Sequence, residues 1–230
     1  MSPQINPQDV FVIIPAYNEQ EVIAKVIYEL VPMQYKLVVV DDGSAEELDE
    51  RLQQFPIFLL RHRVNLGQGA ALQTGIEFAL SKQAAYIVTF DADGQHLPSD
   101  IEKLLAPLAA NKADITLGTR FSGGISNIPA GRKWVLKTAR FINYFFAGLL
   151  LSDAHNGLRA MTRPAASAIH IRQNGMAHAT EIVAEIRKNK LRYAEVPVSI
   201  RYTDYSRKKG QTLWGSFRIF FDILLNKIFK

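Results

Sequence analysis

Short apolar runs alternate with amphipathic segments along the first half of the chain. Residues 10–14 form a run rich in β-branched side chains that stops at Pro15, and apolar positions then recur at helical spacing over residues 21–30. Similar apolar runs follow at residues 37–40, 57–60, 86–90 and 115–117. Continuous apolar strands that alternate with helices are typical of a mostly parallel sheet covered on both faces. The pattern therefore predicts an α/β fold.

The length of the chain, 230 residues, suits one domain with a full hydrophobic core. We expect this domain to occupy residues 1–210, with an amphipathic helix over residues 211–230. Within the domain, the Gly-rich stretch 122–124 precedes an apolar and basic segment at 134–151. We interpret that segment as an elaboration of the same domain, because its pattern does not indicate a second core.

The composition is that of a globular protein, with 48% hydrophobic and 21% charged residues, which excludes a disordered class. The sequence has no cysteine, so disulfides, thiolate metal sites and thiol nucleophiles are excluded. Residues 1–10 lack the basic and apolar regions of a secretory signal. These features favour a cytoplasmic protein.

The net charge of +5 hides an uneven distribution along the chain. Residues 1–115 carry 8 Lys and Arg against 16 Asp and Glu, whereas residues 116–230 carry 19 against 6. A basic half is compatible with nucleic acid, an anionic membrane surface or a phosphorylated substrate. We expect no nucleic-acid partner, because no recognisable DNA- or RNA-binding motif accompanies the charge.

Polar side chains follow several of the predicted strands, and ligands of such sheets lie at the carboxyl ends of the strands. Asp91, Asp93 and Gln95 bring three oxygen-bearing side chains into one tight turn. Hard divalent cations prefer oxygen ligands, and Mg²⁺ commonly bridges a few protein ligands and substrate phosphates. The alternative is a turn and an N-cap for the helix that follows.

A second acidic pair, Asp41 and Asp42, ends another predicted strand. A carboxylate at this place is suited to accept hydrogen bonds from a ribose or a base N–H. The alternative is purely structural: Ser44 caps a helix that begins at Ala45, with acidic residues in its first turn. The two interpretations are compatible, because capping does not use the aspartates.

The Gly-rich stretch 65–71 opens the next predicted helix with small residues, including Gly69, which let the backbone approach a ligand closely. It lacks the GxGxxG spacing and the Walker lysine of phosphate-binding loops. We therefore interpret it only as a segment that positions a ligand beside the acidic site.

Four motifs stand in order in the first half of the chain: residues 13–19 (IIPAYNE), 39–44 (VVDDGS), 65–71 (NLGQGAA) and 91–96 (DADGQH). In combination they resemble the family 2 glycosyltransferases, which have the Rossmann-like GT-A fold. The resemblance implies a nucleotide diphosphate-sugar donor, GDP- or UDP-linked, whose nucleoside would be bound by Pro15, Tyr17, Glu19 and Asp42. It also implies Mg²⁺ or Mn²⁺ held by Asp91, Asp93 and Gln95.

The second half is similar to dolichyl- and polyprenyl-phosphate mannose or glucose synthases, through residues 117–120, 152–159, 196–199 and 205–212. Two departures stand out: Thr212 is not followed by lysine, and His155-Asn156 replaces the usual Thr-Ser or Thr-Gly. The acceptor therefore has two alternatives, a polyprenyl phosphate or a saccharide extended in polysaccharide or glycolipid synthesis. A catalytically silent sugar-nucleotide-binding subunit is a third alternative, against which the intact metal motif argues.

Those synthases hold two anionic groups, the donor pyrophosphate and the acceptor phosphate, and guanidinium groups suit both. The candidates here are Arg120, Arg132, Arg207 and Lys209. We expect the cation and the arginines to stabilise the departing nucleoside diphosphate, with Asp93 and Arg120 as catalytic residues. A lipid phosphate is already ionised, whereas a sugar hydroxyl needs a base, for which Asp153 is the candidate; otherwise Asp153 shapes the sugar pocket. Direct attack would invert the anomeric configuration.

The C-terminal segment 213–230 places Arg218, Asp222, Asn226 and Lys230 four residues apart and leaves a wide apolar arc. This pattern favours a helix that lies in a membrane interface, and the alternative is a helix packed on the domain or on a partner. Asp222 argues against a membrane span. We expect peripheral attachment to the cytoplasmic face of a membrane, with a separate transmembrane subunit as a further partner, because related synthases often carry transmembrane helices.

Overall fold

The computed structural model describes residues 5–46, 48–120, 149, 151–153 and 156–201. Three of the predicted site residues, Arg132, Arg207 and Lys209, lie outside these ranges, as does the predicted C-terminal helix at 211–230.

The described part of the chain consists of a sheet with helices on both faces. Its strands are β1 Val10–Ala16, β2 Lys36–Asp41, β3 Ile57–Arg61, β4 Tyr86–Thr89, β5 Ile115–Thr119, β6 Arg159–Thr162 and β7 Tyr193–Pro197. Its α-helices are α1 Ile23–Leu30, α2 Asp49–Leu52, α3 Gln68–Ser81, α4 Ser99–Ala109, α5 Arg163–Ala168 and α6 His178–Lys188. Two short 3₁₀ helices, Pro7–Asp9 and Val31–Met33, precede β1 and β2.

The seven strands form one sheet in the order β3-β2-β1-β4-β6-β5-β7. The pairings between β1, β2, β3 and β4 and between β5 and β7 are parallel, and β6 is antiparallel to both of its neighbours. The predicted mostly parallel sheet is confirmed. Because β6 runs the other way, its first residue, Arg159, lies opposite Thr89 at the end of β4. The start of β6 therefore contributes to the edge where the parallel strands end.

Apolar side chains fill both sides of the sheet. Along β1, Val12 and Ile14 pack with α1 and α4, whereas Phe11 and Ile13 pack with α3, α5 and α6. All seven residues of β1 are buried. A strand buried on both faces has the continuous apolar sequence from which the parallel sheet was predicted.

Strand β1 continues through Pro15, although proline was expected to stop it. The carbonyl of Ile13 accepts a hydrogen bond from Phe90 N, so the backbone nitrogen and carbonyl groups of Ile13 and Pro15 both point toward β4. The pairing of β1 with β4 ends at Ile13 and Thr89. Proline is tolerated here because its missing N–H points beyond the last rung of that ladder.

The prediction that Ser44 caps a helix beginning at Ala45 is wrong, because α2 begins only at Asp49. The hydroxyl of Ser44 instead accepts a hydrogen bond from Asn18 N at 2.9 Å, and Asn18 Oδ1 accepts one from Ala45 N at 3.1 Å. Asn18, in the loop after β1, therefore bonds the Ser44 hydroxyl that was expected to cap the helix.

None of the helices in the described ranges has both the length and the apolar character needed to cross a lipid bilayer.

Candidate active site

The loops that follow β1, β2, β4 and β5 gather at the carboxyl edge of the sheet. Asp42 N donates to Ala16 O at 2.8 Å, which joins the ends of β1 and β2. Asp91 comes two residues after the end of β4, and Arg120 directly follows β5. The predicted site residues of four different segments therefore lie at one edge of the sheet, as the βα order predicted.

We call residues 91–96 the metal loop. Within it, Asp93 Oδ1 accepts from Gln95 N at 3.0 Å, and Asp93 Oδ2 accepts from Gln95 Nε2 at 2.8 Å. Gly94 has a φ of +73°, a value that favours glycine at the centre of this turn. Helix α4 begins only at Ser99, and no side chain caps it. The predicted turn is present, and neither aspartate acts as an N-cap.

Asp91 is held on both of its oxygens. Oδ1 accepts from Gln68 Nε2 at 3.1 Å, and Oδ2 lies 3.1 Å from His96 Nε2. The Asp91 side chain is 28% exposed, whereas the His96 side chain is only 4% exposed. Gly157 lies so close that an added Cβ atom would overlap the Asp91 carboxylate. The carboxylate is therefore fixed by α3, by its own loop and by the segment before β6.

The two aspartates of the metal loop have opposite pKa shifts. Burial would raise the pKa of Asp91, but the His96 hydrogen bond and the charges of His96, Arg159 and His178 lower it below its usual value. Burial and the neighbouring Asp91 charge raise the pKa of Asp93. Carboxylates with perturbed pKa values at the end of a strand mark a candidate functional site.

The chemistry of this loop fits a divalent cation. The charge of Asp91 raises the pKa of Asp93, and a divalent cation held by these residues would offset that repulsion. Gln95 would have to present its Oε1 atom instead of Nε2, which requires rotation of the amide. The described ranges contain no group of three or more His, Cys, Asp or Glu side chains able to hold a metal. The chain would thus supply part of the ligand set, and substrate oxygens and water would supply the rest.

Asp42 organises the loop that opens α3. Its Oδ1 atom lies 2.7 Å from His62 Nδ1 and accepts from Leu66 N at 3.0 Å, and its Oδ2 atom accepts from Gly67 N at 2.7 Å. His62 Nε2 in turn lies 2.9 Å from Thr74 Oγ1 on α3. His62, which joins Asp42 to this helix, was not predicted from the sequence.

The other residues predicted to bind the nucleoside differ in accessibility. Tyr17 is 45% exposed, Glu19 is partly buried, and Pro15 is buried within β1. The structure brings all three to the same edge as Asp42, and their roles as ligands stay predictions.

Gly69 has a packing role. Its backbone N–H donates to Asn174 O at 2.7 Å, and an added Cβ atom would overlap the carbonyl oxygen of Gln173. The glycine thus lets the segment before α6 approach the start of α3. That Gly69 also admits a ligand stays a prediction.

Arg120 and Asp153 form a two-pronged ion pair, with Arg120 Nε 2.7 Å from Asp153 Oδ2 and Arg120 Nη2 2.8 Å from Asp153 Oδ1. The Arg120 backbone N–H also donates to Asp153 Oδ2 at 3.2 Å. The Asp153 side chain is 3% exposed and that of Arg120 is 34% exposed. Both residues were predicted for the site, but their pairing was not. Because both carboxylate oxygens of Asp153 accept hydrogen bonds from Arg120, a role in shaping the sugar pocket fits Asp153 better than a role as a general base.

Arg159 lies in the motif at residues 152–159, but no role was predicted for it from the sequence. Its side chain is buried, with 2% exposure of the residue. Burial lowers the pKa of Arg159 below its usual value, although the charges of Asp91 and Asp153 act to raise it. An arginine inside the apolar run 158–161 was the available signal, since a buried cation requires anionic partners.

With this geometry established, comparison with known proteins identifies the class. Residues 11–169 match the family model described as glycosyl transferase family 2, and the chain belongs to that family. The predicted family and fold are confirmed.

The relatives match over most of their length. The chain is 32% identical to UDP-N-acetylglucosamine–dolichyl-phosphate N-acetylglucosaminyltransferase of Methanococcus voltae, over 96% of this chain and 97% of the relative. It is 30% identical to polyprenol monophosphomannose synthase of Mycolicibacterium smegmatis, over 90% of this chain and 83% of the relative.

Among solved structures, glucosyl-3-phosphoglycerate synthase from Mycobacterium tuberculosis, in complex with Mn²⁺, uridine diphosphate and phosphoglyceric acid, has a similar fold. The TM-score is 0.66 at 18% identity, over 94% of this chain and 77% of that chain. At this identity the likeness shows the fold alone.

Proposed function

We propose that this chain transfers a sugar from a nucleotide diphosphate-sugar to a polyprenyl phosphate, with inversion at the anomeric carbon. The observation that carries the proposal is the juxtaposition of Asp91 and Asp93 at the carboxyl edge of the sheet, in a chain that matches two polyprenyl-type transferases over most of their length. The donor base, UDP or GDP, is left to experiment.

On the donor side, Asp91, Asp93 and Gln95 would hold Mg²⁺ or Mn²⁺. The cation would stabilise the charge that develops on the departing nucleoside diphosphate. The protein's own contribution is to orient these ligands, through the bonds from Gln68 and His96 to Asp91. Tyr17, Glu19 and Asp42 lie at the same edge and would surround the nucleoside.

On the acceptor side, an ionised phosphate barely needs a general base, because it already carries the attacking oxygen as an anion. The Arg120–Asp153 pair is consistent with this: both carboxylate oxygens of Asp153 accept hydrogen bonds from Arg120. Arg120, which is 34% exposed on its side chain, would still face an incoming phosphate. Arg132, Arg207 and Lys209 remain candidates for the same task.

We propose further that the protein attaches peripherally to the cytoplasmic face of a membrane through the amphipathic segment 211–230. Flotation with anionic liposomes tests this, and a protein that stays unbound with and without salt would contradict it. Dependence of activity on a co-expressed transmembrane subunit would extend the proposal.

The main experiment is a screen of UDP- and GDP-sugars with Mn²⁺ or Mg²⁺ and a polyprenyl phosphate, in which release of nucleoside diphosphate is followed. We expect glycolipid product only when the lipid phosphate is present, and no product from Asp93→Asn. Asp114→Asn, which changes a carboxylate at an exposed ion pair with Arg192, is the matched control. Transfer to a saccharide but not to the lipid phosphate would favour the alternative acceptor and contradict the proposal.

A further inference from the structure

Arg201 contacts two separate parts of the molecule. Its backbone N–H donates to Gln95 O, in the metal loop, at 2.8 Å. Its guanidinium Nη1 atom lies 3.0 and 2.8 Å from the two carboxylate oxygens of Glu29, on α1. One residue therefore links the metal loop to a helix that follows β1. We call Arg201 and Glu29 the clip.

The segment that carries Arg201 is fastened to the metal loop and to the start of α4. His96 and Ile200 form an isolated antiparallel bridge. Ser199 N donates to Oδ2 of Asp100, a fully buried carboxylate in the first turn of α4, at 2.8 Å. The segment 199–201 is therefore bonded to the metal loop and to α4, and the clip joins this segment to α1.

The packing between α1 and the metal loop is incomplete. A cavity of about 220 Å³ lies between part of α1 and the metal loop, and its walls include Val26 and Lys25 on the helix and Phe90, Asp93 and His96 on the other side. Both residues of the clip also line it. Across a cavity there are few atomic contacts to resist displacement, so a directional ion pair has a larger share in fixing the loop.

We propose that Arg201 and Glu29 are positioning residues that hold the metal loop in the arrangement needed to bind a divalent cation. The inference rests on the proposed function, since it requires the cation site at Asp91 and Asp93. Neither residue touches the reacting groups. Arg201 acts through Gln95, whose backbone carbonyl it contacts and whose side chain bonds Asp93.

A purely structural role makes a different prediction. The side chains of Arg201 and Glu29 are 41% and 29% exposed, and exposed ion pairs contribute little to stability. If the clip were only a surface pair, its loss would leave both the melting temperature and cation binding unchanged. If it positions the loop, cation affinity falls while the melting temperature hardly moves.

The test is titration of the full chain with Mn²⁺ alone, with free Mn²⁺ followed by electron paramagnetic resonance. Glu29→Gln keeps the size of the side chain and removes its charge. We expect Mn²⁺ affinity to fall about threefold to tenfold, less than the roughly 10- to 100-fold that loss of a direct partner of a metal ligand costs. Glu185→Gln breaks the exposed pair with Lys188 and is the matched control, with unchanged affinity expected.

A charge reversal provides the second arm. The double variant Glu29→Arg/Arg201→Glu restores an ion pair in the opposite sense, and we expect its Mn²⁺ affinity to exceed that of either single variant. Thermal unfolding verifies that each variant is folded. If the double variant is unfolded, the Mn²⁺ affinity of Glu29→Gln alone tests the proposal.

Two failures are distinguishable. Wild-type protein that binds Mn²⁺ while Glu29→Gln binds it equally well would overturn the positioning role and leave the proposed function intact. Wild-type protein that binds no Mn²⁺, either alone or with UDP or GDP present, would overturn the cation site and the inference with it.

Discussion

Gly157 and Asp91 pack against each other so closely that an added Cβ atom on the glycine would overlap the carboxylate. The contact joins the segment before β6 to the metal loop. Thr89 Oγ1 also donates to Gly157 O at 2.6 Å, so the glycine cannot move away freely. The position of Asp91 thus depends on the absence of a side chain far from it in sequence.

Gly157→Ala should therefore displace Asp91 and impair catalysis. We expect nucleoside diphosphate release to fall by about 10- to 100-fold, because small misplacements of reacting groups have large effects on rate. Steady-state kinetics measure this. Gly175→Ala is the control, since an added Cβ there meets nothing within 4 Å. Equal rates for the two variants would show that Asp91 tolerates the shift.

Asp93→Asn removes the charge that would face the cation. We expect kcat to fall by at least about 100-fold, in the range seen when one preorganised group that stabilises a transition state is lost. Mn²⁺ affinity should fall in parallel. Undiminished turnover of this variant would refute the assignment of Asp93 to the metal.

Arg159→Met should unfold the protein more easily, because it removes a buried guanidinium whose charge favours the ionised forms of Asp91 and Asp153. Because Asp91 keeps His96 and Asp153 keeps Arg120, we expect a loss of about 0.5–3 kcal/mol of unfolding free energy. Urea denaturation measures the change. Arg192→Met, which removes an exposed arginine paired with Asp114, serves as the control and should have a much smaller effect.

Tyr35→Phe should change how stability depends on pH at alkaline values. Burial, with a contribution from Glu102, raises the pKa of Tyr35 to about 12. The unfolded chain therefore loses this proton near its ordinary pKa of about 10 while the folded protein retains it, so unfolding becomes easier as pH rises. The wild type should lose up to roughly 1 kcal/mol more than the variant between about pH 10 and pH 11. Urea denaturation at both pH values measures this, and parallel losses would contradict the raised pKa.

The sequence predicted the first five strands because each is a continuous apolar run. It missed β6 and β7, because β6 begins with the charged Arg159 and β7 mixes Tyr193 and Glu195 with smaller residues. Its pattern also contained no sign that β6 runs antiparallel. That direction is decided by pairing with β4 and β5, which are distant in sequence.

For the site, the sequence motifs predicted residues that are close to one another in the chain, such as Asp91 and Asp93. It missed partners that only the fold brings near. Gln68 on α3 bonds Asp91, and His62 bonds Asp42. The contact between Arg120 and Asp153 likewise spans 33 positions. Such pairs depend on tertiary structure, for which local spacing contains no signal.

The contact between Thr119 and Ser152 has a consequence for how the length of this protein can vary. The chain leaves the sheet after Thr119 and re-enters it at Arg159, and the hydroxyls of Thr119 and Ser152 lie 2.6 Å apart beside the Arg120–Asp153 pair. The contact holds together two points that are 33 positions apart in the chain. The entropy cost of bringing two such points together grows slowly with their separation, by about 0.6 kcal/mol for each doubling. We therefore expect changes in the number of residues between Thr119 and Ser152 to leave the strands that carry the aspartates in place.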